Sequence, residues 1–201
     1  MIEHGNTAQS EDEARTDPHV CARCALTNPT CCRLDPGSEE YCFPVSEMEW
    51  ERILEYAGEQ GSFVQEPNSK PFVTNMKRLF PGEHKLVEQL FPLVKFHLRL
   101  ATDKDGTCTF LRDGGCALPR EARPYYCRLF PFWIYGERLT IFTPPHCLAV
   151  KEAKQLTGLM RTMDQTEASL RTLHGRLRLA WGLPPKEGME LLEQSFVRYK
   201  K

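Results

Sequence analysis

Three cysteines crowd one short, turn-rich stretch, Thr107 to Phe132, and they constrain this chain more than any hydrophobic pattern does. Cys108, Cys116 and Cys127 are separated there by Gly114, Gly115, Pro119 and Pro124, residues that fold a chain back sharply toward one point. Three thiols gathered in this way suggest a common ligand. The N-terminal third adds Cys21, Cys24, Cys31 and Cys32, and Cys147 follows after a hairpin-like segment. The cysteines thus form two clusters far apart in sequence, which we expect to be the two halves of one metal-site region.

The spacing supports that expectation. Cys21 and Cys24 form C-x-x-C, which lets two sulfurs on a tight turn grip one ion or cluster. Asn28-Pro29 supplies a turn before the Cys31-Cys32 doublet. On extended backbone the doublet's thiols point to opposite faces and can serve different metals or different corners of one cluster. With C-x7-C-x10-C-x19-C in the second cluster, eight candidate thiolates result: Cys21, Cys24, Cys31, Cys32, Cys108, Cys116, Cys127 and Cys147. Four thiolates satisfy a tetrahedral zinc or a 4Fe-4S cubane, so eight serve two centres, or one centre with a redox pair or non-ligands beside it. All-thiolate sites favour zinc, iron-sulfur or copper(I) over hard cations. Cys42, between aromatic neighbours in YCFPV, reads as a small buried hydrophobe.

Compartment points the same way. The N-terminal eighteen residues are polar and acidic, with no apolar core of the kind a secretory signal needs, and no apolar run reaches transmembrane length. The expected compartment is the cytoplasm, where nine cysteines, an odd number, are poorly explained by disulfides. Lys and Arg number 26 against 27 Asp and Glu, a net charge of -1, so no global basic field recommends nucleic acid or an anionic membrane as partner. Local charge does accompany the thiols: Arg33, Arg112, Arg120, Arg123 and Arg128 lie beside cysteines in sequence. Guanidinium groups donate toward sulfur and offset thiolate charge, and Arg123 and Arg128, which bracket Cys127, are the expected supports of a bound cofactor. Tyr125, Tyr126, Phe130, Phe132 and Trp133 are placed to exclude water.

Periodicity fills in the rest. Residues 1–18 read as a disordered tail, 19–149 as the cysteine-cluster domain, and 150–201 as a helical C-terminal extension suited to packing or a protein partner. Ser46 and Glu49 make a capping box for a helix ending near Gly58 or Gly61, and a second helix runs from about Glu83 to Phe91. Residues 62 to 71 read as a loop. Val94, Phe96, Leu98 and Leu100 alternate with Lys95, His97 and Arg99, predicting a strand with His97 outward and Thr107–Leu111 as its partner. A hairpin turning at Gly136-Glu137 follows. The C-terminal part predicts a helix near Leu156–Met163, one capped by Asp164-x-x-Glu167, and a last one from Pro184-Pro185. The fold class is α+β: small antiparallel hairpins and loops around a cysteine-cluster metal site, with packed helices.

The C-x-x-C, the CC doublet, C-x7-C and ARPYYCRLFPF together resemble the YkgJ-type cysteine-cluster family, the zinc- or iron-chelating CxxCxxCC family. The core of the resemblance is Arg123, Pro124, Cys127, Arg128, Phe130 and Pro131, within a match over roughly residues 20 to 148; the spacer Ala25–Thr30 is longer than the family name implies. The resemblance implies a bacterial metal-binding protein, with an iron-sulfur cluster or zinc, whose relatives mostly lack an assigned reaction. Flagellin lysine methylases carry a similar cluster. The nucleotide-fold, P-loop and serine-hydrolase signatures are absent, as is the C-x3-C-x2-C triplet of radical enzymes that use S-adenosylmethionine. No catalytic residue is assigned. Three functions stay open: an iron-sulfur or zinc protein with a redox or metal-sensing role, a structural zinc module for protein interaction, and a protein-modifying enzyme similar to the flagellin methylases.

Overall fold

The structure, a computed structural model, describes residues 20–27, 30–58, 62–153 and 155–186. The expected N-terminal tail, the Asn28-Pro29 turn and the helix after Pro184-Pro185 fall wholly or mostly outside these residues. The architecture is α+β, with helices packed around small antiparallel strand pairs. Helix α1, Val20–Ala25, carries the C-x-x-C, and a 3-10 turn at Glu39–Tyr41 leads toward α2, Glu47–Ala57. The α2 capping box forms as its sequence predicts: Glu49 N–H donates to Ser46 Oγ at 3.3 Å, and Ser46 N–H donates to Glu49 Oε2 at 2.9 Å. Gly58 ends it in the left-handed conformation, its N–H donating to Leu54 O.

Strand β1, Phe63–Pro67, and the start of α3, Lys70–Leu79, occupy residues 62 to 71, read from sequence as loop. Ser69 and Pro71 look like turn residues, yet here they start a helix: Ser69 Oγ accepts from Phe72 N–H at 3.2 Å, and Pro71 lies in the first turn, where its missing N–H costs nothing. The spacing of Phe72, Val73, Met76 and Leu79 then buries one face. Helix α4, His84–Leu90, follows where expected.

Strand β2, Phe96–Leu100, corrects the sequence reading twice. Its antiparallel partner is β1, with Phe63 opposite Leu100 and Pro67 opposite Phe96, while the Thr107–Leu111 stretch pairs with the residues just beyond β2, through a bridge between Thr102 and Cys108 and a Thr109 N–H bond to Ala101 O. The period of two holds but its phase is inverted: Phe96 is 62% exposed while His97 and Arg99 are each 6% exposed. Specific partners outweigh hydrophobicity here. The His97 ring stacks on Phe72 with centroids 3.9 Å apart and bonds Asn68 Oδ1 through Nδ1 at 2.9 Å. The Arg99 guanidinium grips Glu66 Oε2 from Nε at 3.2 Å and Nη2 at 3.1 Å.

Strands β3, Leu111–Arg112, and β4, Gly115–Cys116, form a small hairpin. Helix α5, Tyr125–Leu129, then leads into β5, Phe132–Tyr135, and β6, Arg138–Ile141, paired across the expected Gly136-Glu137 turn. Helices α6, Leu148–Glu152, α7, Leu156–Thr162, and α8, Glu167–Ala180, complete the described chain. Thr166, with Ser169, caps α8, in place of the Asp164 that sequence suggested; Asp164 sits in the preceding turn at φ +51. One large core joins α3, α4, α5, β5 and α8 through Phe72, Phe80, Leu129, Trp133, Leu170 and Leu177. A smaller cluster of Val45, Ile53, Phe110 and Leu118 lies against Cys108 and Cys116. Among the described residues, no helix is long and apolar enough to cross a membrane.

Candidate metal centre

The cysteines of the two sequence clusters are mounted on several short elements, Cys21 and Cys24 together on α1 and Cys31 and Cys32 together in one turn, and hydrogen bonds tie these elements together. Thr30 Oγ1 accepts from Cys32 N–H at 2.9 Å, and Arg33 N–H donates to Thr30 O, closing a turn around the doublet. Beyond the turn the chain lies along the second cluster: Cys108 N–H donates to Cys32 O at 2.9 Å, Leu34 N–H to Gly106 O at 2.8 Å, and Arg33 pairs with Thr107. Gly106 makes this approach possible. Its φ is +80, and a Cβ there would lie 1.7 Å from Leu34 O.

Helix α1 is held by the same neighbours. Gly115, at φ +101, backs onto Ala22, where an added Cβ would lie 3.3 Å from Ala22 Cα, so the hairpin bearing Cys116 packs against the helix bearing Cys21 and Cys24. Arg23 makes a two-pronged ion pair with Glu152 at 2.8 and 2.7 Å, linking α1 to α6, whose N-cap residue is Cys147. Both partners are solvent-exposed, so this pair fixes orientation more than it stabilises. Cys127 stands on α5, and the amide that starts α5 is secured from α2: Tyr125 N–H donates to Glu49 Oε1 at 2.6 Å. Glu49 is fully buried and serves both its own capping box and this contact. Sequence gave no signal for that second role, because the partner lies 76 residues away.

The electrostatics converge on Cys32. Burial is the leading cause that raises Cys21, Cys108, Cys116, Cys127 and Cys147, and the hydrogen bond to Cys32 leads at Cys31; Cys32's charge adds to all six, and Cys24 adds to Cys21, Cys31 and Cys147. The doublet departs from the alternating geometry expected of extended backbone. It lies in a turn, and the Cys31 thiol donates a hydrogen bond to Cys32, which, against the opposing effect of burial and with help from Thr30 and Arg123, lowers Cys32 to about 7 and raises Cys31. Arg123 also opposes the rise that burial causes at Cys21 and Cys116, with its Nε anchored on Leu118 O at 2.9 Å. Arg128 lies elsewhere: its guanidinium stands 5.8 Å from the Tyr125 ring centroid, with Arg52 beyond the same ring. Arg33 bonds Asp105 O, Arg112 bonds Thr109 O and Leu111 O, and Arg120 bonds Met163 O.

All nine cysteines are free. Cys21, Cys31, Cys32 and Cys127 carry accessible surface, whereas Cys24 and Cys147 are buried. Burial is nonetheless the leading cause that raises Cys21 and Cys127. Tyr126, stacked on Phe43 at 3.3 Å, adjoins these thiols, since Cys127, Cys31 and Cys42 raise its hydroxyl after burial has done so. Cys42 is half-buried, and its charge also reaches Cys108. Phe132 and Trp133 belong to the large core. Among the described residues, no three His, Cys, Asp or Glu side chains are drawn closely enough to hold one metal ion. Two cations act on these thiols: Arg123 on Cys21, Cys32 and Cys116, and Arg112 on Cys116.

Comparison with models of protein families, with curated proteins and with solved structures gives no match to this chain.

Proposed function

We propose that this chain is a cysteine-cluster metal protein whose centre, an iron-sulfur cluster or zinc, is held by thiolates drawn from Cys21, Cys24, Cys31, Cys32, Cys108, Cys116, Cys127 and Cys147. The observation that carries the reading is the bond from Cys108 N–H to Cys32 O, which sets segments of the two sequence clusters side by side. Holding so many of these groups as thiolates is unfavourable without a compensating charge, since each thiolate raises the next. A bound metal supplies that charge.

Iron-sulfur is the first choice. A cluster with bridging sulfides spreads its ligands more widely than a single ion does, which suits thiols carried on several separate segments. When bound, such a cluster supplies one-electron redox chemistry, and the role we assign is electron transfer or sensing of metal and redox state in a reducing cytoplasm. Arg123 would donate toward sulfur, and Tyr126 and Phe43 would limit water. The resemblance to the YkgJ-type family supports the same reading. Structural zinc is the second reading, favoured by the burial of Cys24 and Cys147, because structural sites are closed.

The test compares metal per chain in the native protein with Cys32→Ser and Cys42→Ser. We expect Cys32→Ser to lose metal and thermal stability together while Cys42→Ser keeps both. Equal retention in the two variants would overturn the ligand set.

A further inference from the structure

A second site lies beside α5, lined by residues other than the cysteines. Residues 127 and 128 are successive on a helix and so project about 100° apart. Where Cys127 faces the cysteines, Arg128 lines a cavity of ≈ 420 Å³ together with Arg120, Arg176 and Asp164. Helix α8 contributes Arg176, the turn before α8 contributes Asp164, and the segment leading to α5 contributes Arg120. Three guanidinium groups thus share one cavity with a single carboxylate.

Their hydrogen-bonding capacity is largely unspent. Arg128 Nε is buried with no partner, and its Nη1 has only a 3.4 Å contact to Glu121 O. Arg120 uses Nη2 on Met163 O at 2.8 Å. Arg176 is exposed and makes no hydrogen bond or ion pair among the described residues, and Asp164 makes no ion pair there. Arg52 adds like charge from behind, 4.7 Å from the centroid of the Tyr125 ring that also faces Arg128. Its own fork is engaged by Tyr125 Oη at 3.2 Å and Arg123 O at 3.2 Å. Like charges brought together with open donors are unfavourable unless an anion joins them, and the planar fork of arginine matches phosphate and carboxylate oxygens two at a time.

The geometry points to a binding site for a small polyvalent oxyanion, a phosphate ester or a polycarboxylate, held between Arg120, Arg128 and Arg176. The volume suits a small ligand. The inference is independent of any metal, because none of these residues belongs to the proposed ligand set.

Calorimetric titration of the full chain with inorganic pyrophosphate and, separately, with citrate tests it. One of the two is expected to bind saturably at one site, with pyrophosphate preferred if the ligand is a phosphate ester and citrate if it is a polycarboxylate. Arg176→Gln, at an exposed position, should fold normally and weaken that binding about tenfold, as should Arg128→Gln. Lys85→Gln, an exposed charge change on α4, should leave it unaltered. Absence of saturable binding to both anions would overturn the site, as would affinity that Arg176→Gln leaves unchanged or that Lys85→Gln weakens equally.

Discussion

His97 and His174 are held neutral by their surroundings. Burial first and Arg99 second push His97 down to about 4, and burial followed by Arg178 and Lys186 pushes His174 down to about 3. His174 has no hydrogen-bond partner at either ring nitrogen, and it meets Trp133 edge-on with centroids 4.9 Å apart. Both folded values lie below the ordinary histidine value, so the unfolded chain takes up protons that the folded chain refuses. Their contribution to stability is complete above about pH 6.5 and is lost as pH falls toward 4 and then 3, a change on the order of a few kcal/mol. His174→Phe should therefore flatten the decline of the unfolding midpoint between pH 6.5 and 4.5, as read by denaturant titration. Native and variant curves of equal slope would contradict this account of His174.

Among the elements, the segment 104–108 does most to position the thiols, because it receives the Cys31-Cys32 turn along its length. Gly106→Ala meets two obstacles: the left-handed backbone, and a Cβ that has no room beside Leu34 O. Gly136→Ala, at φ +63 with open space around it, meets only the first, which costs about 1–2 kcal/mol. We expect Gly106→Ala to cost more than Gly136→Ala by chemical denaturation and to lower metal content as well. Equal costs would show that the close approach of the two cysteine segments is not needed.

The same scale shows what the sequence could tell. Helix α2, helix α4 and the β5–β6 hairpin announce themselves through Ser46 and Glu49, Pro92, and Gly136-Glu137, because caps and turns are local chemistry. Helix α3 was hidden behind Ser69 and Pro71, residues equally at home in a loop and in a first helical turn. The β2 face was unreadable because Asn68, Phe72 and Glu66 decide it, and none of them belongs to the strand. At the candidate centre the residue types were legible from spacing. The hydrogen bond within the doublet, the Glu49 support beneath α5 and the departure of Arg128 to another cavity depend on tertiary contacts that spacing does not encode.

At the scale of the whole molecule, the α8 side chains and the elements that carry the cysteines share one core: Leu170, Leu173 and Leu177 pack with Leu129, Trp133 and Cys147. The large apolar cluster holds the helices in place, while the thiol region on its flank rests on short strands and turns whose own buried area is small. A bound metal would complete that flank, so the central claim is the metal itself. The most direct measurement is iron, zinc and acid-labile sulfide per chain on anaerobically purified native protein, with a visible absorption spectrum of the same sample. The account predicts a brown protein with iron and sulfide in matching amounts; a colourless one with about one or two zinc ions per chain would move the assignment to the structural reading. Protein that carries neither metal and takes up neither on reconstitution would contradict the account.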